Sequence, residues 1–249
     1  MFTNSWGTVP ESDSNVPSLA GLTSGQRSSM AELILLQRSG LQQFTRIPFG
    51  NRKLVQRRLI TLEAWLRPWS VFQRYLDRLR AEWNAIDMYL PATVHAAVDL
   101  GCGMGGIDEF VVARYQTVIE KVYLVDLDGI DRSIRYGFGA NSGRYGRLDL
   151  TVAYLTARGV PLSLLNKINV EVDALPSREL QLVLSFKSWG FHYPIETYLE
   201  YVGEHLSRDG VVITDVRHGT DGLDRLRDLF SVRAISREAN FDRVVCSRA

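Results

Sequence analysis

Three short stretches of this chain bring together residue types that could do chemistry. SFKSWGFHYP, residues 185–194, crowds a lysine, a histidine and several aromatics into ten positions after an apolar run. His192 has an imidazole that titrates near neutrality, as a general base should. Trp189, Phe191 and Tyr193 offer flat faces on which a sugar ring or an aromatic acceptor could stack. The bland alternative keeps Trp189 and Phe191 in the core and lets His192 satisfy a backbone group. Lys187 could anchor an anionic part of a substrate, or stand in solvent. TDVRHG, residues 214–219, is a second such cluster, with Asp215, Arg217 and His218. His218 is a second candidate for the base or for its partner. The third stretch is VDLGCGMGG, residues 98–106. Glycines 101, 103 and 105 let a backbone turn tightly and approach a ligand that side chains would exclude. Dinucleotide enzymes use a related loop with G-x-G-x-x-G spacing. Here the spacing is D-x-G-x-G-x-G, and Asp99 suits a ligand with a cationic amino-acid end better than a pyrophosphate, which a carboxylate would repel.

These stretches need strands and helices to hold them. From residue 95 onward, short apolar runs alternate with amphipathic ones, the pattern of βαβ units on a parallel sheet. HAAVDL, KVYLVDL, KINVEV, LQLVLSF and GVVITDV read as strands, and IDEFVVARY and ETYLEYVGEHL as helices. The tail, FSVRAISREANFDRVVCSR, holds two β-rich runs split by EAN, and so reads as a terminal antiparallel hairpin. The glycine loop then joins the first strand to the first helix. His192 and His218 each follow a strand at its carboxyl end, where open α/β sheets bind ligands. His95 precedes a strand and His205 sits on a helix, so both read as structural.

The remainder of the sequence limits the choice of function. The chain has 249 residues, 45% apolar and 23% charged, with a formal charge of +1, so it does not announce a polyanionic partner. Cys102 and Cys246 are the only cysteines, too few for a disulfide framework or a cysteine zinc site, and no metal is expected. No apolar run approaches the ~18–20 residues of a membrane span. The start, MFTNSWGTVPESDSN, lacks the basic and apolar regions of a secretion signal, and a cytoplasmic protein is the expectation.

The glycine loop and the chain after it resemble the class I S-adenosylmethionine (SAM) dependent methyltransferases over residues 93–249. That resemblance implies a Rossmann-like sheet of seven strands, mostly parallel, with the last strand antiparallel. It implies SAM as cofactor, held by the loop through Asp99, Gly101, Cys102, Gly103 and Gly105. Asp126, ending the second strand in YLVDLD with Leu127 after it, would take the ribose hydroxyls; a carboxylate can accept from both at once. Asp128 could substitute, or either acid could cap a helix. Asp173 in VDALPS would accept from the adenine amine, with Ala174 or Leu175 flanking the ring, unless Asp173 only caps a turn. LSRDGVVITDV matches the family's helix, turn and fifth strand, with Asp209-Gly210 as the turn. SFKSWGFHYP takes the place after the fourth strand, where such enzymes keep acceptor-binding or base residues, and Ser185 would lie near the methionine part of SAM. A narrower resemblance, carried by SWGFHYP, DVRHGTDG and RYGFGANSGRYG, is to sugar O-methyltransferases, including the rhizobial nodulation-type enzymes that methylate fucose on a lipo-oligosaccharide.

Residues 1–26 read as a flexible lead-in and residues 27–92 as a helical cap, with Pro68 separating two helical stretches. Between Arg38 and Arg80 stand ten basic residues (Arg38, Arg46, Arg52, Lys53, Arg57, Arg58, Arg67, Arg74, Arg78, Arg80) against Glu63 and Asp77. They could form a solvated face, a lid favouring anionic or lipid-linked glycans, or an RNA-binding surface; no RNA-binding module accompanies them. The expected activity is SAM-dependent O-methylation of a sugar, glycan, glycolipid or other hydroxylated small molecule. The alternatives are an RNA methyltransferase, a SAM-binding protein without activity, and, behind these, a nicotinamide dehydrogenase.

Overall fold

The computed structural model describes Leu19, residues 21–46 and residues 53–248. Three helices come first: α1 (Ser24–Gln37), α2 (Lys53–Leu66) and α3 (Pro68–Ile86). The lead-in expected over residues 1–26 lies mostly outside the described residues, and its last part is already helical. Thr23 and Gln26 form a reciprocal capping box that starts α1 at Ser24. Pro68 opens α3 at a position where its missing N–H costs nothing. On α3, Phe72, Tyr75, Leu76, Leu79, Trp83 and Ile86 recur at helical spacing and are all buried.

The chain then alternates strand and helix: β1 (Ala96–Leu100), α4 (Gly106–Tyr115), β2 (Lys121–Asp126), a short ribbon of β3 (Gly129–Ile130) and β4 (Tyr145–Gly146), and α5 (Leu148–Ala157). It continues through β5 (Leu165–Asn169), β6 (Leu180–Ser185), α6 (Leu199–His205), β7 (Leu206–Arg217), α7 (Gly222–Leu229), β8 (Phe230–Arg237) and β9 (Phe241–Arg248). The seven-stranded sheet runs β5-β2-β1-β6-β7-β9-β8, parallel except where β9 meets β7 and β8. This is the Rossmann-like architecture that the glycine loop and the strand pattern implied, with the terminal hairpin inserted so that β9 lies beside β7.

Period-two alternation divides the sheet's side chains between two cores. Ala97, Leu182, Leu184 and Ile213 face one side, in one continuous cluster with α1, α3, α4 and α5. Val98, Leu100, Val183 and Val212 face the other, with Val202 of α6 and Leu226 of α7. The three N-terminal helices therefore share a core with one face of the sheet, and the end of α1 reaches the glycine loop at its carboxyl edge.

Two local expectations are corrected. KINVEV pairs earlier than expected, as Leu165–Asn169, because Val170 onward turns back through bonds to Asn169 and Asp126. Asp209-Gly210 is not a turn: β7 runs unbroken from Leu206, with Leu180 opposite Leu206 and Leu182 opposite Val211. The extra residues are absorbed as a bulge, which sequence pattern does not distinguish from a turn.

Candidate active site

The glycine loop closes tightly between β1 and α4. Gly101, Gly103 and Gly105 have φ of 80°, 56° and 66°, the left-handed region that favours glycine. Their missing side chains also matter. A Cβ on Gly101 would come within 2.2 Å of Ser188 Cβ, and one on Gly103 within 2.8 Å of Gln37 Oε1. The loop is thus covered from two sides, by the segment after β6 and by the end of α1. Gln37 also donates to the Tyr145 carbonyl at 2.6 Å, joining α1 to the β3–β4 ribbon.

Between these elements lies a cleft of about 800 Å³, lined by Gly101, Cys102, Gly103, Asp126 and Leu127 and closed by Tyr193 and Lys187. Asp126 is tied into the loop: Gly103 N–H donates to one carboxylate oxygen at 2.8 Å and Leu127 N–H to the other at 2.7 Å. Burial pushes its carboxyl up to about 6 despite those bonds. Each oxygen keeps a lone pair for a ligand hydroxyl. Cys102 lines the cleft, and its thiol, buried near three carboxyls, is pushed well above its ordinary value.

Asp99 lies beneath the loop and does not line the cleft. It is 4% exposed and faces Asp108, whose two buried oxygens meet no donor among the described residues. Burial, and for Asp108 the charge of Asp99, push both carboxyls up, Asp99 to about 7 and Asp108 well above the carboxylate range. Two carboxyls can sit this way only by sharing a proton.

A second cleft, of about 1430 Å³, adjoins the first along Gln37, Arg38, Tyr136, Lys187 and His192, and reaches Arg217 and His218 at the end of β7. His192 therefore stands in the wall common to both. Its Nδ1 lies 2.7 Å from the Gly137 carbonyl, which only accepts, so the proton sits on Nδ1 and Nε2 carries a lone pair. Burial lowers its imidazole below the ordinary value, so the ring is neutral at pH 7. His218 Nε2 instead meets Asp242 Oδ1 at 3.0 Å, and His218 lines the second cleft alone. That bond and Arg237 hold the Asp242 carboxyl below its usual range.

Several candidate residues stand elsewhere than the sequence placed them. Trp189 does not present a face to a substrate: it is fully buried, and its indole N–H donates to the Ile195 carbonyl at 2.6 Å. Ser185 is buried too, bonding Leu100 O at 2.7 Å and Trp189 N at 2.8 Å, so it ties β6 to β1 rather than lining the cleft. Asp215 is not a partner of His218; Arg243 takes both its oxygens at 2.7 and 2.9 Å, wholly inside the protein. Asp173 accepts from Asn169 N–H at 2.9 Å and closes the turn after β5; neither it nor Ala174 lines either cleft. Tyr193 faces the first cleft instead of the second. His95 and His205 bond the Val118 and Tyr201 carbonyls, away from both clefts.

The structure adds residues that sequence reasoning passed over. Gln37, Tyr75 and Tyr145 line the first cleft. Tyr145 lay in the aromatic, glycine-rich insert RYGFGANSGRYG, which was a usable signal; nothing local marks Gln37. The basic run is largely braced internally. Arg74 pairs with Glu63, Arg57 with Glu32, Arg80 with Asp77, and Arg38 and Arg78 both with Glu82, whereas the side chains of Arg46, Arg52 and Lys53 lie outside the described residues. Among the described residues no cluster of His, Cys, Asp and Glu has the make-up of a metal site, and no helix is long and apolar enough to cross a membrane.

No family model and no curated protein matches the chain. Solved structures do resemble it. A TehB-like SAM-dependent methyltransferase from Corynebacterium glutamicum is 17% identical over 71% of this chain and 97% of that one, with a TM-score of 0.46. A ribosomal protein L11 methylase from Lactobacillus delbrueckii subsp. bulgaricus is 14% identical over 70% of this chain and 78% of that one, with a TM-score of 0.46. The DhpI–SAH complex is 16% identical over 70% of this chain and 88% of that one, with a TM-score of 0.45. The likeness is one of overall arrangement, and what the two clefts hold has to be argued from their own residues.

Proposed function

We propose that the chain is a SAM-dependent O-methyltransferase acting on a hydroxyl of a sugar, glycan or other small molecule. The observation that carries this reading is His192 in the wall shared by the two clefts, with Nδ1 committed to Gly137 and Nε2 bare. The first cleft fits SAM on two counts: its glycine loop brings main chain to the cleft wall, and Asp126 offers two acceptor oxygens at the strand end. Gly101, Cys102 and Gly103 would hold the cofactor along the loop, Asp126 its ribose hydroxyls, and Leu127 with Tyr193 the flanks of the purine.

Bound SAM supplies an electrophilic methyl on a sulfonium. Residues of the second cleft hold the acceptor hydroxyl in line with it, which is where much of the acceleration arises. His192 Nε2 would accept the hydroxyl proton as the acceptor oxygen takes that methyl, so that a methyl ether, SAH and an imidazolium would result. The Gly137 carbonyl holds the ring's orientation throughout. In this organisation the helices of residues 27–92 cover the crevice that residues 93–249 form.

An RNA substrate is less well supported, because most of the arginines it would use are already paired with carboxylates. Calorimetry with SAM and with NAD tests the cofactor; binding of NAD in preference to SAM would overturn the reading. Methyl-labelled SAM incubated with cell extracts, glycolipids and RNAs then identifies the acceptor. Replacing His192 by Ala should cost about 10²–10⁴ in turnover. The wild-type low-pH limb should lie below pH 6.5, because burial lowers this imidazole and the base must be neutral. Unchanged turnover would remove His192 as the base, and incorporation of no label into any fraction would favour a SAM-binding protein without activity.

A further inference from the structure

The second cleft has a charge imbalance that the methyl transfer does not require. Arg38, Arg78, Lys187 and Arg217 line it, and among the described residues no carboxylate does. Three acids stand behind its walls: Glu82 pairs with Arg38 and Arg78, Asp242 with His218 and Arg237, and Asp215 with Arg243. Four cations less the one carboxylate of Glu82 leave an excess of three positive charges.

The two cations at its centre are unusually placed. Lys187 is the one non-glycine residue with positive φ among the described residues, at 59°, a backbone conformation that side-chain-bearing residues disfavour. Its ammonium lies 5.5 Å over the Phe241 ring, and no carboxylate pairs with it among the described residues. Burial, and then the Arg38 guanidinium, hold it below its ordinary value. Arg217 sits over Phe191 at 5.4 Å and over Phe138 at 5.9 Å, also without a carboxylate among the described residues. Phe191 and Phe241 themselves pack edge to face at 5.6 Å, so the two cations stand on one aromatic platform. Rings engage the face of a guanidinium and leave its N–H edge free to donate, the edge that matches an oxyanion. A strained, partly buried lysine and an unpaired arginine beside two more arginines do not stabilise one another.

We infer that the acceptor is a phosphorylated molecule, and that Arg217 and Lys187, with Arg78 and Arg38 behind them, bind its phosphoryl group while His192 faces the hydroxyl to be methylated. This rests on the second cleft being the acceptor's side. A phosphoryl group suits the excess better than a carboxylate, with ~1.5–2 negative charges and three acceptor oxygens against one charge and two oxygens. It also fits a substrate with separate ends, one to be anchored and one to react.

Inorganic pyrophosphate is the probe. Calorimetric titration into the full-length protein at low ionic strength should show binding that acetate at equal ionic strength does not reproduce. Arg217→Gln and Lys187→Gln should each weaken it tenfold or more, with Arg217→Lys in between, and raising the salt should weaken it further. Should Arg217→Gln fail to fold, Arg217→Lys and Lys187→Gln still decide the matter. Pyrophosphate affinity unchanged in these variants, or acetate bound as tightly, would overturn the proposal. SAM titrated into the wild-type protein separates the two readings: without SAM binding the methyltransferase assignment falls, whereas the pyrophosphate result judges the anion site by itself.

Discussion

Gly101→Ala tests the contact on which both clefts depend, because the glycine loop and the segment after β6 meet there. The substitution has two costs. An alanine at φ 80° sits in the left-handed region, which costs about 1–2 kcal/mol. Its Cβ would also lie 1.9 Å from Ser188 Oγ and 2.2 Å from Ser188 Cβ. The second atom is the root of a side chain and cannot rotate away, so backbone must move, at about 1–3 kcal/mol. Together these come to about 2–5 kcal/mol, or roughly 5–15 °C in Tm for a chain of this size. Ser188→Gly removes both overlapping atoms and by itself costs about 1 kcal/mol through the unfolded chain. In the double variant the overlap vanishes and the left-handed cost remains. A double-mutant cycle read by thermal unfolding should therefore show a favourable coupling of about 1–3 kcal/mol. SAM calorimetry should show affinity lost in Gly101→Ala and partly regained in the pair. A single variant melting within 2 °C of wild type (well short of the ~5 °C floor above), or single-variant losses that simply add, would mean the two loops do not meet as described.

Other outcomes concern the carboxyls around the loop. Asp126→Asn keeps the shape but sets an amide NH₂ against one of two backbone N–H donors now at 2.7 and 2.8 Å. It should weaken SAM by about 2–3 kcal/mol, near a hundredfold, by calorimetry; equal affinity would remove Asp126 from the cofactor site. In the wild type, SAM affinity should fall as the pH drops below about 6, where burial places the protonation of this carboxyl. Asp108→Asn should stabilise the protein at alkaline pH. Burial and then the charge of Asp99 raise the Asp108 carboxyl well above the carboxylate range on folding, so over that span the folded state binds the extra proton and stability falls as the pH rises. An amide at position 108 does not titrate and can donate to Asp99, so the variant's Tm at pH 8 should exceed wild type by about 3 °C or more, with little gain at pH 4. A lower Tm at pH 8 would show that the pair does not share a proton.

The fold was legible because its signals are local. Apolar runs such as HAAVDL and LQLVLSF are short, bounded and buried on both faces, as central parallel strands are. The glycine loop announced itself by spacing that only left-handed backbone explains. The turn expected at Asp209-Gly210 failed because a bulge and a turn use the same residues, and only the partner strand decides between them. The site was legible in part for a similar reason. SFKSWGFHYP does form a wall segment, yet strand-end aromatics look alike in sequence whether they face a cleft or a core. Trp189 went into the core because its indole N–H reaches Ile195 O, a partner that the following turn supplies. Asp215 next to Arg217 and His218 looked like one cluster, but Asp215 stands opposite Arg243 on the neighbouring strand, and that buried guanidinium takes both its oxygens.

That displacement changes what the terminal hairpin does. With Asp215 committed to Arg243, the acid that reaches His218 is Asp242, two residues into β9 and two residues past Asn240, whose carbonyl takes the His218 N–H at 2.9 Å. Phe241 between them carries the Lys187 ammonium on its ring. Three consecutive residues of a hairpin that completes the sheet thus orient a histidine, seat a lysine and close one end of the second cleft. The first cleft is built around the ends of β1 and β2, and the second by the end of α1, α3, the end of β7 and the β8–β9 turn, with the segment after β6 touching both. The sheet order makes this possible: inserting β9 beside β7 brings the β8–β9 turn to the carboxyl edge, where it lines the second cleft. Substitutions at Ala239 and Asn240 would then reshape the second cleft while leaving the loop at Gly101, which they do not touch, as it is.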